Sequence, residues 1–196
     1  ELGLLPEDKK NLIIKSADEV IAGTLDDHFP LSIWQTGSGT QSNMNTNEVI
    51  ANRALQILGY GVGQYDVFNP NDHINSGQST NDVVASAVKL AVLKKSDTLI
   101  CALGHLAETL QAKAEEFAHV LKIGRTCMQA AQPMTLGQEF SGYAAALFHA
   151  RDKVRDAVSD LLVLPLGGTA IGTGLGAQPG YRNAVYKHLA ADLGKP

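Results

Sequence analysis

The chain has 196 residues, 44% of them hydrophobic and 18% charged, with a formal net charge of −4 at pH 7. This length and apolar content are sufficient for a buried core and exclude an intrinsically disordered chain. Without a basic excess the chain is not expected to bind nucleic acid, and no signal peptide or membrane-spanning segment is expected. The two cysteines are far apart and lack metal-ligand spacing, which predicts a reducing, cytoplasmic environment and no metal site.

The first half of the chain predicts two helices joined by loops. Helical periodicity predicts a helix over 6–22 and a second one over about 43–59. Between them, 23–35 predicts a loop with an extended piece near 31–34. The glycine, proline and asparagine content of 60–79 predicts irregular structure.

Two long helices dominate the second half. The stretch 82–118 contains no proline, and about 37 helical residues at ~1.5 Å each would span roughly 55 Å. Its apolar side chains fall at heptad-like spacings: Leu99, Leu103, Leu106, Leu110 and Phe117. Thr135 and Gln138 fit a capping box that starts a second long helix, which continues to about residue 164 before Pro165.

The last stretch predicts a glycine-rich loop over 167–180 and a short helix over 181–193. Two long helices cannot bury both apolar faces on each other alone, so they predict a bundle, and one formed between chains. The predicted fold class is therefore mainly α, with an N-terminal helical and loop domain over 1–80 and part of a long-helix bundle over 81–196.

Three segments rich in glycine and small polar side chains could carry chemistry: 36–45, 69–81 and 124–129. Each is expected to adjoin a helix, where free backbone N–H groups favour a small anion. The first could instead be a capped loop, and it lacks the Gly-Lys-Ser/Thr ending of a phosphate loop. Residues 79–82, at the end of the second segment and the start of the next helix, are more than one helix cap requires, so some of them are expected to bind ligand.

Several single residues allow both a chemical and a structural interpretation. His73 beside Asp72 could be a general base or a loop histidine satisfied by its neighbour. Arg125 could bind a carboxylate with two hydrogen bonds or hold a loop. Cys127 could be a nucleophile, but a buried, unreactive thiol is the better interpretation. Arg151 is expected to be a structural ion-pair partner.

The glycine-rich stretch 167–176 follows a helix rather than a strand. A dinucleotide site of the Rossmann type needs a preceding strand, so the stretch predicts a bend with close backbone approach.

Taken together, six segments resemble the aspartase/fumarase superfamily, whose members eliminate ammonia or water from a four-carbon dicarboxylate: 37–53, 69–75, 78–82, 124–126, 133–140 and 168–175. The resemblance runs from about residue 10 to the end, and over this range the chain is similar to the N-terminal part of such a lyase. It implies a homotetramer around a bundle of long helices, active sites built from three subunits, and no metal or organic cofactor. The family's base, a serine on a glycine-rich loop, belongs to a pattern that this sequence does not contain.

The resemblance also implies roles for individual residues. Donors to the substrate carboxylates would be Ser38, Thr40, Ser79, Thr80 and Asn81. A secondary anion site near the entrance would use Asn69, Asp72 and His73. Thr126 and Cys127 would be catalytic. Fixed donors that favour the doubly charged intermediate over the substrate would each contribute ~3 kcal/mol.

The wording of the motifs divides between two activities. The stretch 36–43 looks like a fumarase, whereas 69–73, 79–81 and 170–173 look more like an aspartase. Cys127 stands where fumarases have histidine and aspartases have histidine or glutamine, and Ala130 replaces a usual aspartate. These features favour aspartate ammonia-lyase, with class II fumarate hydratase or a non-catalytic relative as alternatives, and nucleotide binding well below them.

Overall fold

The structure, a computed structural model, describes residues 2–32, 34–35 and 39–194. The described chain is mainly helical, as predicted, and contains one β-hairpin. Its helices are α1 (Glu7–Ile21), α2 (Thr40–Ile57), α3 (Thr80–Glu116), α4 (Leu136–Ser159) and α5 (Tyr181–Leu193). The strands are β1 (Leu121–Thr126) and β2 (Gln129–Thr135). Single turns of 3-10 or π-helix lie at Asp26–His28, Pro70–Ile74 and Asp160–Leu162.

The helix ends follow local chemistry. The predicted capping box is confirmed, because the Gln138 backbone N–H donates to Thr135 Oγ1 over 3.1 Å and the Thr135 N–H donates to Gln138 Oε1 over 2.9 Å. Helix α2 begins at Thr40, earlier than predicted, because Gly39 caps it with a left-handed φ of +81°. Helix α4 ends at Ser159 rather than near residue 164, since its last turn tightens into a 3-10 turn.

The prediction that 124–129 adjoins a helix start is wrong, because this segment forms the centre of the β1–β2 hairpin. The strands are antiparallel from Leu121 opposite Thr135 to Thr126 opposite Gln129, with an irregularity between Ile123 and Arg125. The expected extended piece near 31–34 does not form in its described part, where residues 31, 32 and 34 lie in bends, turns or coil.

By internal packing the chain divides into two compact units, 1–88 with 164–196 and 89–163. The domain boundary at residue 80 stays a prediction. The core of the first unit lies on α2, where Ala51, Ala54 and Leu55 are fully buried together with Phe68. Apolar side chains of α1 pack against this core, so α1, α2 and the segment before α3 form one body.

In the second unit α3 and α4 approach closely at Gly137. A Cβ there would lie 2.3 Å from the Ala114 carbonyl oxygen, so only glycine allows this contact. Nearby, the rings of Phe117 and Phe140 lie 5.8 Å apart.

The predicted apolar seam of α3 has two faces. Leu103 and Leu110 are half-buried, whereas Leu99 and Leu106 remain 51% and 49% exposed. Among the residues that the structure describes, no helix is long and apolar enough to cross a membrane.

Candidate active site

In the first unit, two of the predicted site segments come together at the starts of α2 and α3. Asn43, one turn into α2, donates from Nδ2 to Thr80 Oγ1 over 3.0 Å. Close to this bond, a Cβ at Gly39 would lie 2.6 Å from Val84 Cγ1, so the two helix starts touch through a glycine. Thr40 is exposed at the first position of α2. Ser38, the other predicted donor here, lies outside the described residues.

The start of α3 is capped by its own side chains. The Ser79 backbone N–H donates to Asp82 Oδ1 over 2.9 Å, and Ser79 Oγ accepts a long bond of 3.3 Å from the Asn81 N–H. This is one half of a capping box, with the carboxylate serving the backbone N–H of the capping residue. Ser79 and Thr80 both accept hydrogen bonds through their hydroxyl oxygens, so each retains a hydroxyl hydrogen that can be donated to an anion.

Asp82 is the residue whose role the sequence did not indicate. It is only 1% exposed, and Oδ2 accepts the backbone N–H groups of Gly167 over 3.0 Å and Thr169 over 2.9 Å. Asn81 adds a bond of 2.7 Å from Nδ2 to the Ala170 carbonyl. These bonds hold the glycine-rich loop against the start of α3. The loop was predicted to be a bend with close backbone approach, and the contacts agree with that prediction.

The pKa of Tyr181, which interacts with the Asp82 carboxylate, is shifted by its surroundings. Burial raises the pKa of Tyr181 above its ordinary value, and the negative charge of Asp82 adds to the effect. Tyr181 therefore remains a neutral phenol and a hydrogen-bond donor at neutral pH.

The predicted secondary anion segment, 69–75, is held mainly by its own side chains. Asn69 Oδ1 caps the π-helical turn by accepting the N–H groups of Asn71 over 2.8 Å and Asp72 over 3.2 Å. His73 Nδ1 accepts the Asn69 N–H over 2.8 Å, and its Nε2 lies 2.8 Å from Lys9 Nζ. Asp72 is exposed.

The pKa of His73 is lowered, first by burial and then by the positive charge of Lys9, while Asp72 acts in the opposite direction. Because a backbone N–H occupies Nδ1, His73 is a neutral acceptor at this atom. The structural interpretation of His73 therefore has direct support from its contacts.

Thr126 and Cys127 lie in the second unit, at the tip of the hairpin. Thr126 ends β1, and Cys127 and Met128 form the two-residue turn with φ of 49° and 62°. Such a turn matches the twist of a hairpin but usually contains asparagine and glycine, since other residues are strained at positive φ. The prediction that Cys127 is buried is wrong, because the thiol is exposed at this tip.

The arginines of the second unit differ in role. Arg151 pairs with Asp152 over 2.8 Å and stacks on Phe148 at 5.1 Å, which confirms its prediction as a structural residue. Arg125 is exposed on β1. The pKa of the adjacent Glu139 is lowered chiefly by its hydrogen bonds from Lys122 and Tyr143, with a smaller contribution from the charge of Arg125.

The polar groups of these segments are hydroxyls, amides and backbone N–H groups. Within 2–32, 34–35 and 39–194, no group of three or more histidine, cysteine, aspartate or glutamate side chains could hold a metal ion. Neutral donors at helix starts are suited to binding carboxylates. This arrangement favours a small anionic substrate.

Comparison with known proteins gives a consistent result. The sequence model of a family described as "Lyase" matches residues 1–195. The chain is 53% identical to a class II fumarate hydratase of Ralstonia nicotianae, over 100% of this chain and 42% of the relative.

Two solved structures share the fold. A fumarate lyase:delta crystallin of Brucella melitensis, bound to cobalt, has a TM-score of 0.88 and 44% identity, over 97% of this chain and 42% of that one. A class II fumarase of Schistosoma mansoni has a TM-score of 0.85 and 40% identity, over 98% of this chain and 41% of that one. The chain thus spans about two fifths of the length of the relatives that it matches.

Proposed function

Since this chain belongs to the aspartase/fumarase superfamily of lyases, we propose that it forms part of a class II fumarate hydratase. The enzyme interconverts malate with fumarate and water. Three relatives that are 50% to 53% identical to the chain are named for this activity, and they support fumarate hydratase over the aspartate ammonia-lyase that the motif wording favoured.

The chemistry requires stabilisation of negative charge. A base removes a proton from C3 of malate, the C–H electron pair becomes the C2–C3 double bond, and the C2 hydroxyl leaves as water after gaining a proton. Charge accumulates on the carboxylate next to C3 before the hydroxyl leaves. Fixed hydrogen-bond donors that favour this carboxylate over the ground state lower the barrier.

The observation that carries the proposal is the meeting of the starts of α2 and α3. The 3.0 Å bond from Asn43 to Thr80 brings the hydroxyl-bearing end of α2 against that of α3. We assign binding of the substrate carboxylates to Ser38, Thr40, Ser79, Thr80 and Asn81. Asn69, Asp72 and His73 remain the proposed secondary anion segment.

At the hairpin tip, we assign Thr126 a catalytic role as a donor to the reacting carboxylate and Cys127 a role at the leaving group. A thiol is a weak hydrogen-bond donor, so Cys127→Ala should lower kcat by only about tenfold or less. Cys127→Ser, which keeps a donor of similar size, should retain more activity than Cys127→Ala. Equal activity of both variants with the wild type would remove Cys127 from the site.

We also propose that the protein assembles as a homotetramer through the exposed face of α3. Val92, Leu99 and Leu106 fall at heptad spacing and are each about half exposed in the chain. A stripe of this kind is the seam that a second copy of a long helix covers.

Light scattering on the intact gene product tests the assembly. Leu99→Lys and Leu106→Lys should each reduce the mass below that of a tetramer, because a charge cannot be buried unpaired in the seam. Ile21→Lys, which makes the same kind of change at an 83% exposed apolar side chain at the end of α1, is the matched control and should leave the mass unchanged. A monomeric wild type, or intact tetramers in both seam variants, would contradict this assembly.

The activity is tested by following fumarate absorbance with the intact gene product and either malate or aspartate. Turnover of malate alone supports the proposal. Turnover of aspartate alone would establish the ammonia-lyase alternative, and turnover of neither would favour a non-catalytic relative.

A further inference from the structure

Three asparagines form a buried network between α2 and the start of α3. Asn43 and Asn47 lie one turn apart on α2 and are 7% and 5% exposed. Asn75 follows the π-helical turn and is half-buried. We call Asn43, Asn47 and Asn75 the asparagine network.

The hydrogen bonds of this network have a defined direction. Asn43 Nδ2 donates to Asn75 Oδ1 over 3.2 Å and to Thr80 Oγ1 over 3.0 Å. Asn47 Nδ2 donates to Asn75 Oδ1 over 3.2 Å and to Asn43 Oδ1 over 3.4 Å. Each amide nitrogen has two hydrogens, so all four are used, and Asn75 Oδ1 accepts at both of its lone pairs.

This accounting determines what Thr80 can do. Rotating the Asn43 amide would place its oxygen against Asn75 Oδ1, where two acceptors would face each other without a hydrogen. Asn47 and Asn75 therefore hold the Asn43 nitrogen towards Thr80. Because Thr80 Oγ1 accepts from Asn43, its hydroxyl hydrogen cannot be directed along that line and is donated elsewhere.

We propose that Asn43, held by Asn47 and Asn75, is a positioning residue that directs the Thr80 hydroxyl hydrogen to the substrate carboxylate. The inference rests on the proposed function, since it assigns Thr80 a donor role in that reaction. Asn43 acts through Thr80 and does not itself need to contact the substrate. The burial of Asn43 also keeps water from competing for its bond to Thr80.

Asn43→Asp in the intact gene product is the sharpest test. The substitution keeps the shape but replaces the donor with an acceptor, so the Thr80 hydroxyl turns towards the new carboxylate and no longer faces the substrate. We expect kcat to fall about 10- to 100-fold, as is typical when a buried group that orients a site residue is lost. KM should change much less, because the lost interaction is strongest with the charged intermediate.

The pH profile separates this mechanism from a structural defect. When the introduced carboxyl group is protonated, it can again donate to Thr80, so the ratio of wild-type to variant kcat should shrink as the pH falls. Burial raises the pKa of a carboxyl group, which brings this recovery towards the range where the enzyme can be assayed. A merely structural defect would give a ratio that stays constant or grows at low pH.

Asn52→Asp is the matched control. Asn52 lies on the same helix and is half-buried, but its side-chain partners are the Glu48 carbonyl, Tyr65 Oη and the Gly63 N–H. This variant makes the same chemical change outside the asparagine network and should keep wild-type kcat and its pH profile.

A double-mutant cycle with Thr80→Val completes the test. If Asn43 acts through Thr80, Asn43→Asp should have almost no further effect on kcat once the Thr80 hydroxyl is gone. Should Asn43→Asp fail to fold by circular dichroism, Asn47→Leu replaces it, because it removes the bond from Asn47 to Asn43 Oδ1 and the bond from Asn47 to Asn75 Oδ1. We expect a loss of several-fold in kcat for Asn47→Leu, again absent in the Thr80→Val background.

The outcomes distinguish the two proposals. An active wild type whose Asn43→Asp variant, or Asn47→Leu in its place, matches Asn52→Asp in kcat and pH profile overturns the positioning role alone. Additive effects with Thr80→Val overturn it as well. A wild type inactive towards malate and aspartate overturns the proposed function and this inference together.

Discussion

The start of α3 and the tip of the β1–β2 hairpin both carry hydroxyl groups proposed to bind substrate, yet they hold them by different means. Around the start of α3, side chains of α2 and of the segment before α3 converge with backbone groups of the glycine-rich loop in direct hydrogen bonds. At the hairpin tip, Thr126 is placed by strand pairing and followed by two strained turn residues. One region is fixed by buried polar contacts and the other by backbone geometry.

The two regions should therefore differ in whether a substitution changes stability, activity or both. A buried polar contact has partners that are left unsatisfied when it is broken, so changes near α3 should alter stability as well as activity. The hairpin tip is exposed, so changes there should alter activity with little effect on the rest of the fold.

The largest expected effect is on catalysis at the hairpin tip. Thr126→Val removes the hydroxyl and keeps the shape, and we expect a loss of about 100-fold or more in kcat/KM, as for removal of one donor from an anion-stabilising site. Thermal denaturation should remain close to that of the wild type. Thr24→Val, an exposed threonine in a loop of the first unit, is the control and should retain full activity. Wild-type turnover by Thr126→Val would mean that the hairpin tip does not serve the site.

Asp82→Asn tests the opposite expectation near α3. The carboxylate accepts three backbone N–H groups, and an amide would turn a donor towards at least one of them. We expect a loss of about 2 to 3 kcal/mol in the free energy of unfolding, measured by urea denaturation at fixed protein concentration. Asp97→Asn, exposed on the same helix, should change it by less than about 0.5 kcal/mol. Equal stabilities of the two variants would contradict the fastening role.

These two regions also differ in how far the sequence predicts them. The long helices follow from uninterrupted apolar periodicity and, for α4, from a capping box that is readable over four residues. The polar cluster 79–82 correctly indicated a helix start. The partners of Asp82 were not predictable, because Gly167 and Thr169 lie 85 and 87 residues away and no local pattern links them.

The hairpin was not predicted for a different reason. Its turn is Cys127-Met128 rather than the asparagine-glycine pair that usually marks a two-residue hairpin. The alternation of Leu121, Lys122 and Ile123 was the available signal.

The sequence showed the asparagines of the asparagine network but did not predict the hydrogen bonds between them. Asn43 and Asn47 stand at helical spacing and so share a face of α2, but a helix start rich in asparagine is ordinary. The contact with Thr80 depends on the close approach of Gly39 to Val84, which periodicity does not reveal.

A smaller effect concerns pH and the segment before α3. The folded-state pKa of His73 lies below its ordinary value of 6.5, chiefly through burial and then through Lys9. Between these two pKa values the unfolded chain binds more protons than the folded chain, so this group lowers stability as the pH falls below about 6.5. We expect His73→Gln to lose less stability than the wild type between pH 7.5 and 5.5 in urea denaturation.

Lys9→Met separates the two causes. Removing the positive charge should raise the pKa of His73 measured by NMR, while burial keeps it below that of a free histidine. An unchanged pKa in Lys9→Met would show that the charge of Lys9 does not reach the ring.

The smallest effect tests the strain in the hairpin turn. Met128 is 91% exposed and has a positive φ of 62°. The main effect of its side chain on stability is therefore the backbone strain at this φ. Met128→Gly relieves about 1 to 2 kcal/mol of left-handed strain, and the greater flexibility of glycine in the unfolded chain offsets part of this gain. We expect a net stabilisation of about 0.5 to 1 kcal/mol in hydrogen exchange of the hairpin amides, with no gain for Met128→Ala, which keeps its Cβ. Because Thr126 is placed by strand pairing, a firmer hairpin should leave kcat/KM unchanged or slightly raised. A loss of activity in a stabilised hairpin would mean that the tip must move during turnover, and the contrast with the fixed start of α3 would then be one of motion as well as of contacts.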